Sequence, residues 1–152
     1  MSDFCIIIDS REQTPFTFDW VDPVPATKVQ GLSTGDYSLD GFEDKVCIER
    51  KSITDLFGSV GRGRKRFRKE YERMQDFYFA AVIIESDWKD IYRNPPSRSK
   101  MDPRSILRTL IAWGMRYGVQ TWACPGRTFA ERLTYIMLDR FYRDARDHKF
   151  SQ

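Results

Sequence analysis

Two carboxylates and a lysine are spaced along the chain in a way that could support metal-dependent chemistry. Glu49 and Lys51 are two residues apart in a strand-like segment, so their side chains share one face and Arg50 points to the other. If a hairpin brings Asp36 alongside, that face holds two carboxylates and one ammonium group. Carboxylates so close repel each other unless a cation neutralises them, and Mg²⁺ or Mn²⁺ prefers such oxygen ligands. The pattern indicates phosphate-ester hydrolysis, in which Lys51 orients or deprotonates a water or stabilises developing charge.

The spacing alone leaves a second interpretation open. An aspartate followed by Glu-x-Lys is a short pattern that also arises by chance. It would then be an exposed hairpin whose surface ion pair contributes about 0–1 kcal/mol.

Alternating strand and helix patterns predict the elements that position these residues. Short apolar runs predict strands at 4–8, 27–30, 37–39, 45–49, 80–84 and 119–124. The spacing of Ser52 and Asp55 predicts an N-cap and a helix from about Ile53, and apolar residues at helical spacing predict a helix over 64–78. Two more helices are predicted after the cap Asp102-Pro103 and from a capping box at Thr128 and Glu131. Residues 92–101 predict a mobile basic loop. Strands alternating with helices predict a mixed sheet covered by helices.

Composition narrows the class of protein without giving a function. The chain has 152 residues, three cysteines without a Cys-x-x-Cys pair, and a single histidine, His148. Zinc sites, disulfides and histidine-dependent catalysis are therefore disfavoured. Neither a membrane span nor a secretion signal is evident, so we expect a cytoplasmic protein without membrane partners.

The charge is distributed unevenly along the chain. Residues 1–61 contain eleven acidic and five basic residues, whereas residues 62–152 contain twenty basic and eleven acidic ones. This asymmetry fits carboxylates that hold a cation followed by a basic surface that holds a polyanion, although solvated helix faces would give the same counts.

Three segments together resemble a known nuclease family. They are Asp-Ser-Arg-Glu at 9–12, Gly-Asp at 35–36 and Glu-Arg-Lys-x3-Asp at 49–55. This series is similar to the nuclease domain of the XPF/ERCC4 family, including its Mus81 and Hef branches. It also resembles small stand-alone bacterial and phage versions. The resemblance implies the restriction-endonuclease-like, PD-(D/E)xK, α/β fold with a central mixed β-sheet flanked by helices, over a single domain spanning 1–152.

The resemblance also implies the catalytic residues. They would be Asp9, Arg11, Glu12, Asp36, Glu49, Arg50, Lys51 and Asp55. The implied metal ligands are Asp36, Glu49 and the backbone carbonyl of Arg50, with Asp9 as a further candidate, and Lys51 would be the catalytic lysine. The cofactor would be Mg²⁺ or Mn²⁺.

The remaining residues of that group would support the metal site. Asp9, Arg11 and Glu12 would line the same pocket, and a salt bridge between Arg50 and Asp55 would brace it from behind. The implied activity is metal-dependent hydrolysis of DNA near a junction of duplex and single strand, in recombination or repair. The protein would associate with the nucleoid when bound to DNA.

A cluster of basic residues directly after the motif predicts contact with DNA phosphates. It contains Arg62, Arg64, Lys65, Arg66, Arg68, Lys69 and Arg73. A solvated helix face is the alternative. A second, weaker candidate is the loop with Arg93, Arg98 and Lys100.

The chain departs from the family pattern in three places. The segment between Asp36 and Glu49 is long, and Glu70 stands where family members often have glutamine. No helix-hairpin-helix domain is expected after the nuclease domain, so that domain or a protein partner would have to hold the DNA. A catalytically silent DNA-binding or partner-binding module on the same fold is the alternative function.

The last predicted helix carries more apolar residues than one face requires. They are Leu133, Tyr135, Ile136, Met137, Leu138, Phe141 and Tyr142. We expect the excess to form a homodimer interface through the C-terminal helices, as the resemblance also implies.

Overall fold

Six strands form one mixed sheet in the computed structural model, which describes residues 3–148. The strands are β1 (Cys5–Asp9), β2 (Ala26–Gln30), β3 (Tyr37–Leu39), β4 (Val46–Lys51), β5 (Phe79–Ile84) and β6 (Gln120–Ala123). Their order across the sheet is β2-β1-β3-β4-β5-β6. Strand β3 is antiparallel to β1 and β4, while the other neighbouring pairs are parallel. The predicted mixed sheet is confirmed.

In the described part of the chain, five helices cover the two faces of this sheet. They are α1 (Ile53–Val60), α2 (Arg64–Met74), α3 (Trp88–Arg93), α4 (Pro103–Tyr117) and α5 (Arg127–Arg146). Helices α1 to α4 pack with Cys47, Val82 and Ile84 on one face. Helix α5 packs on the opposite face, where Ile48 and Ile83 point. The period-two alternation of side chains thus gives β4 and β5 two buried faces. None of the helices within residues 3–148 has the length and hydropathy required to span a bilayer.

Two of the three predicted helix caps are present. The Ser52 hydroxyl accepts a hydrogen bond from the Asp55 N–H at 3.1 Å, and the Asp102 carboxylate caps Arg104 at 2.9 Å. The capping box at Thr128 is wrong, because α5 begins at Arg127 with Gly126 as its N-cap, which places Thr128 inside the first turn. Glu131 instead accepts a hydrogen bond from the backbone N–H of Phe18, at 3.0 Å.

Two other predicted boundaries differ from the structure. Helix α2 ends at Met74 rather than near residue 78, because residues 75–78 form a turn in which the Phe77 N–H donates to the Met74 carbonyl. The expected loop over 92–101 starts later, since Asp87 caps the short helix α3 through the Asp90 N–H at 2.8 Å.

Most of the apolar surface of α5 is used within the domain. Leu138 and Phe141 are buried against the sheet, and Tyr135 and Tyr142 both pack edge-on to Phe4. The expected apolar excess is therefore largely wrong, because aromatic residues flanking β1 and β3 widen the core on this side. Ile136 remains 56% exposed.

Candidate active site

Backbone hydrogen bonds hold Asp36 at the junction of three strands. Its N–H donates to the Ile48 carbonyl at 2.8 Å, and its carbonyl accepts from the Asp9 N–H at 2.8 Å. Its side-chain Oδ2 accepts a hydrogen bond from the Arg50 N–H, also at 2.8 Å. The predicted placement of Asp36 beside the Glu49-Arg50-Lys51 segment is confirmed, and its carboxylate is held by the strand that carries the other residues.

Gly35 allows this close approach. Its φ is +83°, a conformation that favours glycine. A Cβ at this position would lie 2.9 Å from the Cβ of Cys47 on β4. A side chain at residue 35 would therefore push β4 away from Asp36.

Glu49 and Lys51 share the face of β4 that α1 and α2 cover, as the alternation predicts. Lys51 Nζ lies 3.5 Å from Glu49 Oε1 and 4.9 Å from the ring centroid of Phe67. The aromatic face stabilises the cation and limits the positions that the ammonium group can take. The ammonium group of Lys51 therefore lies beside Glu49, whose carboxylate repels that of Asp36.

Burial and mutual repulsion oppose ionisation of both carboxyl groups. Burial raises the pKa of Asp36 to about 6, although the hydrogen bond from the Arg50 N–H opposes the increase. The pKa of Glu49 is raised well above its ordinary value by burial and by the charges of Asp36 and Glu70, while Lys51 opposes it. A bound cation would remove this conflict.

Glu70 adds a third carboxylate to this region. It projects from α2 into the cleft that Asp36 and Glu49 line. Its Oε2 is buried and has no hydrogen-bond partner among the described residues. A buried oxygen without a donor, close to two crowded carboxylates, fits a divalent cation or its bound water. Within residues 3–148, no group of three Asp, Glu, His or Cys side chains is placed to hold a metal ion as it stands, so a cation here would also need oxygen ligands from water or the backbone.

The cleft has a volume of about 530 Å³ and brings together six of the eight predicted catalytic residues. They are Asp9, Arg11, Asp36, Glu49, Lys51 and Asp55. Glu12 and Arg50 do not line it. The expectation that Glu12 lines the same pocket as Asp9 and Arg11 is therefore wrong.

Asp9 stabilises the wall of the cleft. Its Oδ1 accepts from the Leu32 N–H at 2.9 Å, and its Oδ2 accepts from Arg11 Nε at 2.9 Å. Arg11 also donates to the Leu32 carbonyl at 2.8 Å. Both carboxylate oxygens of Asp9 thus have a donor from the protein, and a metal-binding role for Asp9 stays a prediction.

The side chain of Arg50 lies on the opposite face of the sheet. It pairs with Glu12 at 2.9 Å and with Glu85, and its guanidinium stacks 4.1 Å from the ring centroid of Phe16. The expected salt bridge with Asp55 is wrong, because Asp55 belongs to α1 on the other face. The role of Glu85 as a partner of Arg50 was not predicted. Its position directly after a buried strand could have indicated it, since polar residues at strand ends can contact a neighbouring strand.

The basic residues of the predicted cluster face in different directions. Arg66 and Arg73 line the cleft, and Arg73 Nε donates to Thr34 Oγ1 at 2.9 Å. Lys65 and Lys69 are exposed and do not line the cleft. The cluster therefore does not form one continuous surface.

Two further arginines of the cluster pack toward α4. The guanidinium of Arg64 lies 4.8 Å from the Trp113 ring centroid and donates to Thr109 Oγ1 at 2.9 Å. Arg68 donates to the Tyr117 hydroxyl at 3.3 Å. These contacts explain part of the charge run as helix packing. Of the seven residues in the cluster, the geometry favours Arg66 and Arg73 for contact with a ligand in the cleft.

The fold and the cleft together define a protein class. The mixed sheet flanked by helices, with an acidic pair and a lysine at adjoining strand ends, is the restriction-endonuclease-like α/β fold. The chain matches the ERCC4 domain over residues 8–137 and belongs to that family.

Individual relatives agree with this assignment. The chain is 36% identical over 66 residues to the DNA repair protein Rad16 of Schizosaccharomyces pombe, which covers 43% of this chain and 7% of the relative. XPF from Aeropyrum pernix superposes with a TM-score of 0.64 at 20% identity, covering 88% of this chain and 61% of that one. In its complex with DNA, the TM-score is 0.66 at 18% identity, with 95% and 66% covered. These structural likenesses establish the shared fold.

Proposed function

We propose that the chain is a Mg²⁺- or Mn²⁺-dependent endonuclease that hydrolyses DNA phosphodiester bonds. The observation that supports this most directly is the crowding of Asp36 and Glu49 beside Lys51 in a cleft of an ERCC4 domain. Their raised pKa values describe a site that is better satisfied with a cation than without one.

Asp36 and Glu49 would hold the cation, together with the backbone carbonyl of Arg50. When bound, the cation polarises the scissile phosphate and lowers the pKa of a coordinated water. The N–H of Arg50 donates a hydrogen bond to Asp36 Oδ2, so Oδ1 of that carboxylate would be the oxygen that binds the cation. Lys51 Nζ stands beside Glu49 and would donate to the attacking water or to a phosphate oxygen, where negative charge develops.

Cations at the rim of the cleft would position the DNA strand. Arg66 and Arg73 line the cleft on one face of α2, at i and i+7. The bond to Thr34 holds Arg73 in place, which reduces the conformational entropy lost when it binds a phosphate. We propose that they contact the phosphates on either side of the scissile bond.

The proposed substrate is DNA at a junction of duplex and single strand, in repair or recombination. The likeness to the DNA repair protein Rad16 and to the DNA complex of XPF from Aeropyrum pernix supports this substrate class. The chain spans 7% of Rad16 and 61% of the Aeropyrum pernix XPF chain. We propose that this domain contacts DNA through the cations that line its cleft, alone or with a partner protein.

Incubation with labelled flapped, branched and linear DNA tests the proposal. We expect cleavage with Mg²⁺ or Mn²⁺, none with EDTA and none in Asp36→Asn, and we expect cleavage at least about 100-fold slower in Lys51→Ala. Asp44→Asn and Lys89→Ala are matched controls, because both residues are exposed and outside the cleft. Tight DNA binding with no product under any condition would instead support the silent binding module.

Homodimer formation through α5 is a separate proposal. Its remaining support is the exposed apolar pair Phe129 and Ile136 on that helix. Sedimentation at high protein concentration should show a dimer that Ile136→Glu dissociates. A monomer at all concentrations would contradict it.

A further inference from the structure

A second groove opens directly beside the active-site cleft. The two share Thr54 and Gly58 of α1, so they are continuous along that helix. The groove has a volume of about 770 Å³, within the range of roughly 300–1,000 Å³ typical of ligand pockets. Its other walls are the turn after α1 and the loop between α3 and α4.

The charges of this groove differ from those of the cleft. Its lining contains three cationic residues, Arg62, Arg98 and Lys100, and no Asp or Glu. The cleft lining, in contrast, contains five carboxylates. All three cationic side chains belong to exposed residues, which leaves their charged groups accessible to an anion.

The rest of the lining is apolar. Phe57 is buried, while Pro96 and Met101 are half-buried and face the groove. Two hydrogen bonds within the loop that carries Pro96 and Met101 restrict its backbone. The Ser99 N–H donates to the Pro96 carbonyl at 2.9 Å, and the Met101 N–H donates to Ser99 Oγ at 3.2 Å. The groove thus combines an apolar floor with a cationic rim.

We propose that this groove binds an unpaired strand of the DNA whose scissile bond lies in the cleft. The proposal rests on the proposed function and specifies the substrate. Cations at the rim suit the sugar-phosphate backbone, and an apolar floor suits the face of a base. In a duplex the base faces are stacked and only base edges and backbone are accessible, so a duplex arm would leave the floor unused.

Binding measured without catalysis separates this proposal from the nuclease proposal. In EDTA, fluorescence anisotropy would compare a 12-nucleotide poly-dT strand, a flapped duplex and a blunt duplex. For Arg98→Glu with Lys100→Glu, we expect at least a five-fold loss of affinity for the strand and the flap. The affinity for blunt duplex should change less than two-fold. For the strand, the slope of log affinity against log salt concentration should become shallower by about 1.4, because each lost phosphate contact accounts for roughly 0.7.

A matched control and a direct contact complete the test. Lys89→Glu reverses the charge of an exposed lysine outside both cavities and should leave all three affinities unchanged. A 5-iodouracil strand should crosslink at Phe57 or within residues 96–101, which contribute the floor and rim of the groove. Equal losses for strand and duplex would overturn the proposal, as would no loss or crosslinks confined to other segments. Absence of cleavage with these binding results would refute only the nuclease proposal.

Discussion

Replacing Asp36 with asparagine should stabilise the metal-free protein while it abolishes cleavage. Asparagine is nearly isosteric, and its carbonyl oxygen can still accept the hydrogen bond from the Arg50 N–H. It carries no charge, so it removes both the cost of burying a carboxylate and the repulsion of Glu49. The same residue would thus limit stability and support function.

The size and pH dependence of the effect follow from the pKa of Asp36. That pKa rises from 3.8 to about 6 on folding, so the folded state binds more protons than the unfolded state between these values. The free energy of unfolding therefore falls as pH rises through this window. At about 1.36 kcal/mol per pH unit, the free-energy cost of burying the ionised Asp36 approaches about 3 kcal/mol at pH 7.5 and stays below about 1 kcal/mol at pH 4.

Chemical and thermal unfolding in EDTA would measure this gain. The effective dielectric constant of a protein interior is higher than that of dry protein, which reduces the cost of burying a charge. We therefore expect Asp36→Asn to increase the free energy of unfolding by about 1–3 kcal/mol at pH 7.5. Each kcal/mol should raise the melting temperature by roughly 2–4 °C. Adding Mg²⁺ should stabilise the wild type more than the variant.

The matched control is Asp44→Asn, which removes an exposed carboxylate far from the cleft and should change stability by less than about 0.5 kcal/mol. The reasoning would be refuted if Asp36→Asn were no more stable than the wild type at pH 7.5. An equal gain at pH 4 would also refute it, since the carboxyl is then mostly protonated in the folded state.

Three further substitutions test other parts of the site. Lys51→Ala should reduce the single-turnover cleavage rate by about 10²–10³ while DNA affinity in Ca²⁺ changes less than three-fold; a loss confined to affinity would remove its catalytic role. Glu70→Gln should weaken Mg²⁺ binding by roughly ten-fold in calorimetric titration, and unchanged affinity would exclude it from the metal site. Gly35→Ala should destabilise the fold by more than about 1 kcal/mol in urea unfolding, whereas Gly58→Ala, where a Cβ meets open space, should be neutral or stabilising; similar effects at both would contradict the close approach.

The parts of the site that depend on local geometry could be predicted from sequence. The alternation along β4 separates Glu49 and Lys51 from Arg50 wherever the strand packs. The caps at Ser52 and Asp102 need only residues within their own first helical turn. Both features follow from a few neighbouring residues, so tertiary packing did not alter them.

The contacts that were missed depend on distant segments. Arg50 pairs with Glu85, 35 residues away, because β5 lies next to β4 in the sheet. Glu131 is drawn away from a capping role by the Phe18 N–H, 113 residues away. The basic cluster divides because α2 packs one side on α4, which takes up Arg64 in a contact with Trp113. No local pattern contains this information.

The turn that joins β3 to β4 is remote from the cleft, so its length does not affect the geometry of the site. Asp36 precedes β3 and Lys51 ends β4, while the turn at 40–45 lies at the other end of the two strands. Extra residues between Asp36 and Glu49 therefore lie at the end of the hairpin that is remote from the carboxylates. Peptide tags or small domains inserted after Gly41 should leave metal affinity unchanged, which makes this turn a suitable position for attaching a fluorophore or a targeting module.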